Sequence, residues 1–256
     1  MSQVVLITGA TSGIGRSTAL LLGRKGYTVA AIGRDKEKLK TLHNNILNPS
    51  KHLFLECDLS DSKQLNKAFH EVITTYDKVD ILINNAGIGL FKYFDETSLE
   101  EWNQILNINL LAAVELTKLV LPVMQKQRSG QIINISSVAG KRTWKRLTAY
   151  CASKFALIGF SNSLRREMKY KKLPITITVI CPPAIKTDFF TAGGYPNYEA
   201  EHPGQKLLHP DQVAQDIYKS IIHKKREVLV GTRAKVLDKV ASVSQSFIEW
   251  LEDKVG

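Results

Sequence analysis

The residues best suited to chemistry are a tyrosine and a lysine four positions apart, Tyr150 and Lys154, in the run YCASK. Residues four apart on a helix stack on one face, so both side chains are expected to point the same way. An ammonium beside a phenol favours the phenolate and is expected to lower a phenol pKa that is ordinarily about 10. A phenol tuned in this way is a usable general acid or base. The spacing also arises by chance on exposed helices, so its meaning depends on the other motifs.

Composition limits the class of protein and the kinds of ligand that can be expected. The chain has 256 residues, of which 44% are hydrophobic and 23% charged, as is typical of a soluble globular protein. Its net charge of +11 suits anionic ligands, but the basic residues are scattered without interleaved aromatics, so no nucleic-acid partner is expected. Three separated cysteines and six histidines show no metal-ligand spacing, so no metal site is expected.

Two segments bear on cellular location. Too few residues precede the first apolar run at Val4 for a signal peptide. The most apolar long stretch, Leu110–Met124, contains Glu115 and Lys118 and falls short of a membrane span. The sequence therefore predicts a soluble, cytoplasmic protein without a membrane partner.

Short β-branched runs alternate with helical patterns along the chain. This alternation predicts an α/β fold, a doubly wound sheet of parallel strands with right-handed crossovers and helices on both faces. No linker or internal repeat divides residues 1–232, which are expected to form one domain. The predicted strands are Val4–Ile7, Tyr27–Ile32, His52–Cys57, Asp80–Ile83, Gln131–Ile135, Ile175–Ile180 and Glu227–Val230.

Residues 233–256 form a C-terminal extension with apolar residues at three- and four-residue spacing, from Val236 to Trp250. This pattern predicts an amphipathic helix. Acidic residues on its other faces oppose contact with anionic lipid. We expect the helix to pack on the domain or on a partner subunit, while a position over the substrate mouth and membrane contact stay open as alternatives.

A glycine-rich turn, TGATSGIG from Thr8 to Gly15, follows the first predicted strand and precedes a helix. Dinucleotide-binding sites need this order, because glycines let backbone N–H groups approach a pyrophosphate and the helix start offers a positive dipole. The second predicted strand is followed by Gly33 and Arg34. An arginine there accommodates a 2′-phosphate, whereas an acid would bind a free ribose hydroxyl, so NADP(H) is the predicted cofactor.

Polar residues also follow later strands. Asn84-Asn85-Ala86-Gly87 ends the fourth predicted strand, at the edge where open α/β sheets bind ligands. Ser136 and Ser137 end the fifth. Asn109 lies inside a long predicted helix, Leu99–Gln127, although asparagine is a poor mid-helix residue and core packing gives no reason for it.

The glycine-rich turn, Asn85-Ala86-Gly87, Ser137, Tyr150 and Lys154 together closely resemble the short-chain dehydrogenase/reductase family, classical branch. The resemblance covers Val4 to about Gly231. It implies a Rossmann-type sheet of about seven strands in the order 3-2-1-4-5-6-7. It also implies an oxidoreductase that transfers a hydride between NADP(H) and a carbonyl or secondary alcohol.

The resemblance also implies roles for single residues. Tyr150 would be the general acid or base and Ser137 would polarise the substrate oxygen. Lys154 would lower the Tyr150 pKa and bind the nicotinamide ribose, and Asn109 would kink its helix and hold a water that relays protons. The implied catalytic residues are Asn109, Ser137, Tyr150 and Lys154, and the implied cofactor-binding residues are Gly9, Ser12, Gly13, Ile14, Gly15, Arg34, Asp58, Leu59, Asn85, Ala86, Gly87, Tyr150, Lys154, Pro182 and Thr187.

One position departs from the family pattern. Members commonly carry Pro-Gly after the sixth strand, and this chain has Pro182-Pro183, with Thr187 retained. Proline has no N–H and a fixed φ, so the turn is expected to be built differently.

The substrate stays open at this stage. Aromatic residues between Phe189 and Tyr198 favour a small-to-medium apolar ketone or aldehyde, whereas the basic run Lys141–Arg146 would suit a 3-oxoacyl thioester on an acidic carrier protein. A dinucleotide-sensing protein without turnover is a third alternative. Apolar residues on several sides of Leu99–Gln127 and Ala149–Lys172 predict a homodimer or homotetramer.

Overall fold

The computed structural model describes residues 2–202 and 207–231. Within them, seven strands form a sheet in the order β3-β2-β1-β4-β5-β6-β7, and every neighbouring pair is parallel. The predicted fold class and strand order are therefore confirmed. The strands are β1 Val4–Thr8, β2 Thr28–Gly33, β3 Leu53–Glu56, β4 Ile81–Asn84, β5 Gly130–Ile135, β6 Ile175–Cys181 and β7 Glu227–Leu229.

The central strands are continuous apolar runs because both faces of the sheet are covered. Every residue of β1, β2 and β4 is buried. Successive side chains alternate between the two faces, so Val5 and Ile7 join one core while Leu6 joins the other. The sheet is thus packed on both faces, and the residues at its strand ends are held in fixed positions relative to one another.

Helices cover the sheet on both sides. Residues of α1, α2 and α9 pack into the core that contains Val5, and residues of α3, α5 and α6 pack into the core that contains Leu6. The helices are α1 Gly13–Arg24, α2 Lys36–Asn45, α3 Ser62–Tyr76, α4 Leu99–Leu106, α5 Ala112–Gln127, α6 Thr148–Tyr170, α7 Phe189–Ala192, α8 Tyr198–Glu201 and α9 Pro210–His223, with short 3-10 turns at Pro49–Lys51, Phe94–Glu96 and Val138–Gly140.

A π-helical turn, Asn107–Leu111, joins α4 to α5 and interrupts the predicted long helix. A capping box starts α4, in which Ser98 Oγ accepts from the Glu101 N–H and the Glu101 carboxylate accepts from the Ser98 N–H. Wider turns of this kind occur frequently at functional sites. This one displaces Asn109 from a regular helical position.

Among the described residues, the segment Leu99–Gln127 is long and apolar enough to cross a membrane by length and composition alone. Core helices of soluble proteins pass the same test. Here Leu116, Val120 and Met124 are fully buried in the core beneath the sheet. Glu115 accepts a hydrogen bond from Asn66 of α3 at 2.9 Å, so this part of the segment packs within the fold.

Three expectations differ from the structure or fall outside it. The predicted long loop after β6 contains α7 and α8, and its Ile185 forms an isolated parallel bridge with Leu208. Other boundaries shift by one to three residues, since Thr8, Gly33, Asn84 and Cys181 extend their strands. The C-terminal prediction for residues 233–256, and with it the boundary at 232, lies outside the described residues.

Candidate active site

A cleft of about 2110 Å³ runs along the carboxyl ends of the parallel strands. Its walls include the glycine-rich turn, the segment after β4, the start of α6 and the loop after β6. Every residue named above for catalysis or cofactor binding lines it, except Gly15 and Asn109, which lie directly behind the wall. The structure therefore brings the sequence-predicted residues to one place.

The glycine-rich turn is shaped for a close backbone approach. Gly9 and Gly13 have φ values of 64° and 49°, in the left-handed region that favours glycine. A Cβ on Gly15 would overlap the Gly9 carbonyl. α1 starts at Gly13, its first turn has no acidic residue, and the N-cap Ser12 side chain makes no capping hydrogen bond. The free N–H groups and positive dipole of a helix start fit a pyrophosphate, so the cradle suits a dinucleotide.

The segment after β4 is fastened to this turn. Asn85 Nδ2 donates to the carbonyl oxygens of Thr8 at 2.9 Å and Gly9 at 3.2 Å. Thr8 Oγ1 accepts in return from the N–H groups of Asn85 and Ala86. A Cβ on Gly87 would lie 3.2 Å from Lys154 Nζ, so only glycine leaves the amine undisturbed.

The far end of the cleft carries the residues expected at the adenosine half of a dinucleotide. Arg34 is exposed just beyond β2, and the next residue, Asp35, caps α2 by accepting from the Lys38 N–H at 3.0 Å. The backbone N–H and the hydroxyl of Ser60 lower the pKa of Asp58, and the Arg34 guanidinium contributes to the same shift. The end of β2 thus presents an exposed arginine, while the acidic residue beside it is engaged in a helix cap.

Tyr150, Lys154 and Ser137 meet at the middle of the cleft. Tyr150 and Lys154 share one face of α6, with Lys154 Nζ 5.7 Å from the Tyr150 ring centroid. The Ser137 hydroxyl lies close enough to the Tyr150 phenol to oppose the rise of its pKa, and Ser137 Oγ accepts from the Ala139 N–H at 3.1 Å. Lys154 is only 3% exposed, and its Nζ donates to the Ile135 carbonyl at 3.0 Å. Ile135 is the last residue of β5, and Ser137 follows two positions later. The sheet therefore fixes the positions of both residues relative to Tyr150 and Lys154 on α6.

The pKa values at this site differ from the sequence-based expectation. Burial raises the pKa of Tyr150 to about 12, against the opposing effect of the Ser137 hydroxyl. Burial lowers the pKa of Lys154 to about 8. The expectation that the ammonium lowers the Tyr150 pKa is wrong for this site, because both groups lie in a low-dielectric environment that disfavours their charged forms. Lys154 Nζ also donates to a backbone carbonyl.

Asn109 has a structural partner that the sequence did not reveal. Its Oδ1 accepts from the Ile88 N–H at 2.8 Å, and its Nδ2 donates to the Ile88 carbonyl at 2.9 Å and to Ser153 Oγ at 3.0 Å. The side chain thus ties the π-helical turn to the segment after β4 and to α6. Its place beside Lys154 is indirect, through Gly87, where a Cβ would lie 3.3 Å from Asn109 Oδ1.

Comparison with known proteins identifies the family. A sequence model described as short chain dehydrogenase matches residues 3–194. The chain belongs to the short-chain dehydrogenase family. It is an oxidoreductase with a nucleotide-binding Rossmann fold, and members of the family use a nicotinamide dinucleotide on small-molecule substrates.

Individual relatives differ in substrate and cofactor. 15-Hydroxyprostaglandin dehydrogenase (NAD+) of Rattus norvegicus is 36% identical over 217 residues, which cover 82% of this chain and 77% of the relative. The 3-oxoacyl-acyl-carrier-protein reductase FabG of Aquifex aeolicus is 38% identical over 217 residues, covering 83% and 87%. The solved structure of ElxO with NADP bound has a TM-score of 0.79 and 29% identity, covering 90% of this chain and 97% of ElxO.

The turn after β6, where this short-chain dehydrogenase departs from the family pattern, is built on a carbonyl. The Pro182 carbonyl accepts from the Val138 N–H at 2.9 Å, so the turn is fixed without an N–H from Pro183. Thr187 reaches back to the glycine-rich turn, where a Cβ on Gly13 would lie 2.9 Å from its Cγ2. The predicted Thr187 position therefore lies at the cleft.

An aromatic cluster covers the middle of the cleft. The Phe189 ring lies 5.2 Å from the Tyr150 ring, between centroids, and a Cβ on Gly89 would overlap it. Sequence reasoning named the residues on the β6 side of this cluster but missed Phe91 and Tyr93 on the β4 side. Their signal was the aromatic run FKYF shortly after the Asn-Ala-Gly segment. The cluster consists of Phe91, Tyr93, Phe189, Phe190, Tyr195 and Tyr198, with Arg146 among the rings.

The basic run before α6 is not a uniformly solvated surface. Lys141 forms an ion pair with Glu227 at 2.7 Å, and Arg142 is 7% exposed. Arg146 Nη2 donates to the Phe91 carbonyl at 3.1 Å. Within the basic run, Lys141 and Arg142 are therefore held by the body of the fold, whereas Arg146 joins the aromatic cluster.

Proposed function

We propose that this short-chain dehydrogenase is an NADP(H)-dependent enzyme that interconverts a carbonyl compound and a secondary alcohol, with Tyr150 as the general acid or base. The observation that supports this most directly is that Tyr150, Ser137 and the buried Lys154 line the same cleft, with Lys154 Nζ 5.7 Å from the Tyr150 ring centroid. A phenol and a hydroxyl that converge on one point can hold the same substrate oxygen.

The roles of the residues follow from the charge that develops on that oxygen. The bound cofactor supplies or accepts the hydride. Ser137 donates to the substrate oxygen and orients it, and Tyr150 transfers the proton. Because its pKa is raised to about 12, the Tyr150 phenol is protonated at neutral pH and is ready to act as an acid in the reductive direction. Lys154 holds the ribose side of the site, and Asn109 positions Lys154 through the segment after β4.

The same proposal assigns the cofactor contacts. The cradle of Gly9, Ser12, Gly13, Ile14 and Gly15 would hold the phosphates at the start of α1. The adenosine half would meet Arg34, Asp58, Leu59 and Asn85-Ala86-Gly87, and the nicotinamide half would meet Tyr150, Lys154, Pro182 and Thr187. All of these residues lie in or directly behind one cleft.

NADP(H) is proposed over NAD(H) because the residue directly after β2 is an exposed arginine, Arg34, which can accommodate a 2′-phosphate, and because its acidic neighbour Asp35 is engaged in capping α2. Related proteins offer both choices, since ElxO was solved with NADP and the rat relative is named for NAD+. We expect kcat/KM to favour NADPH over NADH by about tenfold or more, equivalent to about 1.4 kcal/mol. Arg34→Ala should reduce this ratio, and Arg24→Ala, at an exposed position outside the cleft, should not. Equal values for the two cofactors in the unchanged protein would refute the preference.

An apolar ketone or aldehyde is the proposed substrate class, since the aromatic cluster packs against Tyr150. The test is a screen of ketones, aldehydes and the corresponding alcohols that follows NADPH absorbance. Turnover of apolar carbonyl compounds that falls by ~10²-fold or more in Tyr150→Phe supports the proposal. NADPH binding without turnover of any compound would instead indicate a dinucleotide-sensing protein.

A 3-oxoacyl thioester reductase is the second candidate, favoured by the 38% identical FabG relative. The ion pair of Lys141 and the burial of Arg142 weigh against a carrier-docking surface in the basic run. The two candidates separate in a direct comparison of free ketones with 3-oxoacyl thioesters, both on coenzyme A and on acyl carrier protein. A preference for the carrier-bound thioester would select the second candidate.

A cytoplasmic location and a homo-oligomeric state complete the proposal. Cell fractionation tests the first, with the protein expected in the supernatant after membranes are removed. The C-terminal extension is proposed to pack on the domain or on a partner subunit, and deletion of the residues after Thr232 should then lower the melting temperature or dissociate the oligomer.

A further inference from the structure

Arg146 is the last residue of the basic run and lies just before α6. Its backbone has a φ of 65°, in the left-handed region that few non-glycine residues adopt. The guanidinium carbon lies 5.0 Å from the Tyr195 ring centroid and 5.7 Å from that of Tyr93. Nη2 donates to the Phe91 carbonyl at 3.1 Å. The fold therefore aims a cation into the aromatic cluster.

This cation lacks a counter-ion in the part of the chain that the structure describes. Arg146 Nε is buried there without a hydrogen-bond partner, and no carboxylate lies within ion-pair distance of the guanidinium. Two nearby lysines differ in this respect, since Lys141 pairs with Glu227 and Lys186 with Glu199. A partly buried guanidinium has several N–H groups to satisfy and gains most from a planar anion that accepts two of them.

Aromatic rings connect Arg146 to the reacting phenol. The Tyr150 ring lies 5.2 Å from Phe189, and Phe189 lies 6.0 Å from Phe91. Phe91 lies 5.3 Å from Tyr195, which carries Arg146 on its face. Arg146, Tyr150 and these rings all line the same cleft. A substrate with its carbonyl at Tyr150 and an apolar chain along the rings would bring its far end to the guanidinium.

We propose that Arg146 binds a carboxylate at the far end of the substrate, so that the preferred substrates are oxo acids or hydroxy acids with an apolar segment between the two groups. This inference rests on the proposed carbonyl–alcohol function and narrows its substrate class. An arginine suits the role because its planar fork pairs with both carboxylate oxygens while its face stays on an aromatic ring. Arg146 is a specificity-determining residue in this proposal and takes no part in proton transfer.

The test uses a homologous series of linear methyl-ketone carboxylic acids, from short to long, together with the methyl ester of each. At saturating NADPH, the full-length protein is expected to reduce the best acid with a kcat/KM at least about tenfold above that of its ester. Arg146→Gln is expected to raise KM for that acid about tenfold or more, with kcat little changed and the ester unaffected. Arg146→Lys, which keeps the charge without the fork, should fall between the two.

The matched control is Arg166→Gln, which removes the same charge from an exposed position on α6 that is not part of the cleft. It should behave as the unchanged protein with acid and ester alike. Melting temperatures of all variants with NADPH establish that they are folded. If Arg146→Gln is not folded, Arg146→Lys replaces it in the comparison of acid with ester.

Five outcomes would overturn the inference. Equal kcat/KM for acid and ester in the unchanged protein would do so, as would an equal rise of KM for both in Arg146→Gln, which would make Arg146 a structural link to Phe91. Dependence on Arg146 for a 3-oxoacyl-coenzyme A thioester alone would assign the residue to phosphate. Reduction of neutral ketones but of no acid would remove the inference and leave the proposed function, whereas reduction of no carbonyl compound would remove both.

Discussion

Burial controls the chemistry of single residues at this site. Tyr150 and Lys154 stand close together, yet each is held towards its neutral form, with the pKa of the phenol raised to about 12 and that of the amine lowered to about 8. The sequence correctly predicts that the two share one face of a helix. It does not predict the direction of the Tyr150 shift, because desolvation depends on what packs above the helix.

Replacement of the phenol hydroxyl tests its role as a proton donor. Tyr150→Phe keeps the ring that packs on Phe189, so the fold and the affinity for NADPH should persist. Turnover should fall by ~10²-fold or more, the usual effect of losing a general acid. Steady-state kinetics measure the first effect and fluorescence titration of NADPH the second. Tyr170→Phe, at an 89% exposed position on the same helix, is the control and should retain full activity; a Tyr150→Phe variant that does the same would contradict the mechanism.

The buried amine predicts a pH dependence of stability without cofactor. Below pH 8 Lys154 is charged in both states, and the folded state bears the full cost of burying it. Between its folded pKa of about 8 and the ordinary value of a lysine, the unfolded chain binds more protons, so the free energy of unfolding rises with pH. We expect a gain of roughly 2 kcal/mol between about pH 8 and 10, absent from Lys154→Met.

Urea unfolding of the unchanged protein and of Lys154→Met, each between about pH 8 and 10, measures this gain in the free energy of unfolding. Tyr150 is present in both proteins, so its titration does not contribute to the difference between them. Lys169→Met, at an exposed position on the same helix, should follow the unchanged protein. A stability difference between the unchanged protein and Lys154→Met that stays constant with pH would show that Lys154 titrates as an ordinary exposed lysine.

At the scale of elements, local motifs are predictable from the sequence and long-range partners are not. The glycine-rich turn and the seven strands follow from local composition and periodicity. The sequence marks Asn109 as out of place in a helix, but its partner Ile88 lies 21 positions away and is brought to it only by the π-helical turn. Phe91 belongs to a short aromatic run, but the sequence does not show that its ring contacts Phe189 in the loop after β6.

The contact between α7 and the segment after β4 predicts a substrate effect. Phe189 packs on Gly89 and against Tyr150, and the Phe91 N–H donates to the Gly193 carbonyl at 2.9 Å. Phe189→Ala removes the ring that packs against Tyr150. We expect KM for an apolar ketone to rise roughly tenfold, equivalent to about 1.4 kcal/mol, through lost apolar contact.

Affinity for NADPH should stay within about twofold in Phe189→Ala, a difference well below 1 kcal/mol. Phe94→Ala is the control, because Phe94 is 66% exposed and lies outside the cleft. An unchanged KM in Phe189→Ala would show that substrates approach Tyr150 from another side.

At the scale of the whole molecule, the parallel sheet explains why residues far apart in sequence share one cleft. The carboxyl ends of all parallel strands lie at one edge, so the loops after β1, β4, β5 and β6 converge without any local signal. The protein has a net charge of +11, but its basic residues do not form a single cationic surface at the site. Several of its lysines are instead paired with carboxylates: Lys78 with Asp80, Lys92 with Glu101 and Lys141 with Glu227.

The surface opposite the core on α6 and the π-helical turn predicts self-association. Leu111 is 51% exposed and Phe155 40% exposed, on two elements that pack against each other. A dimer of ordinary size buries about 800 Å² on each partner, and apolar residues of this kind commonly lie at its centre. We expect a dimer or tetramer by light scattering at micromolar concentration.

A carboxylate in the middle of such an interface would be buried without a partner, so Leu111→Glu and Phe155→Glu should each shift the protein towards the monomer. Leu47→Glu, at a 54% exposed position after α2, is the control and should leave the mass unchanged. A monomeric unchanged protein, or oligomers that persist in both glutamate variants, would place the interface elsewhere or remove it.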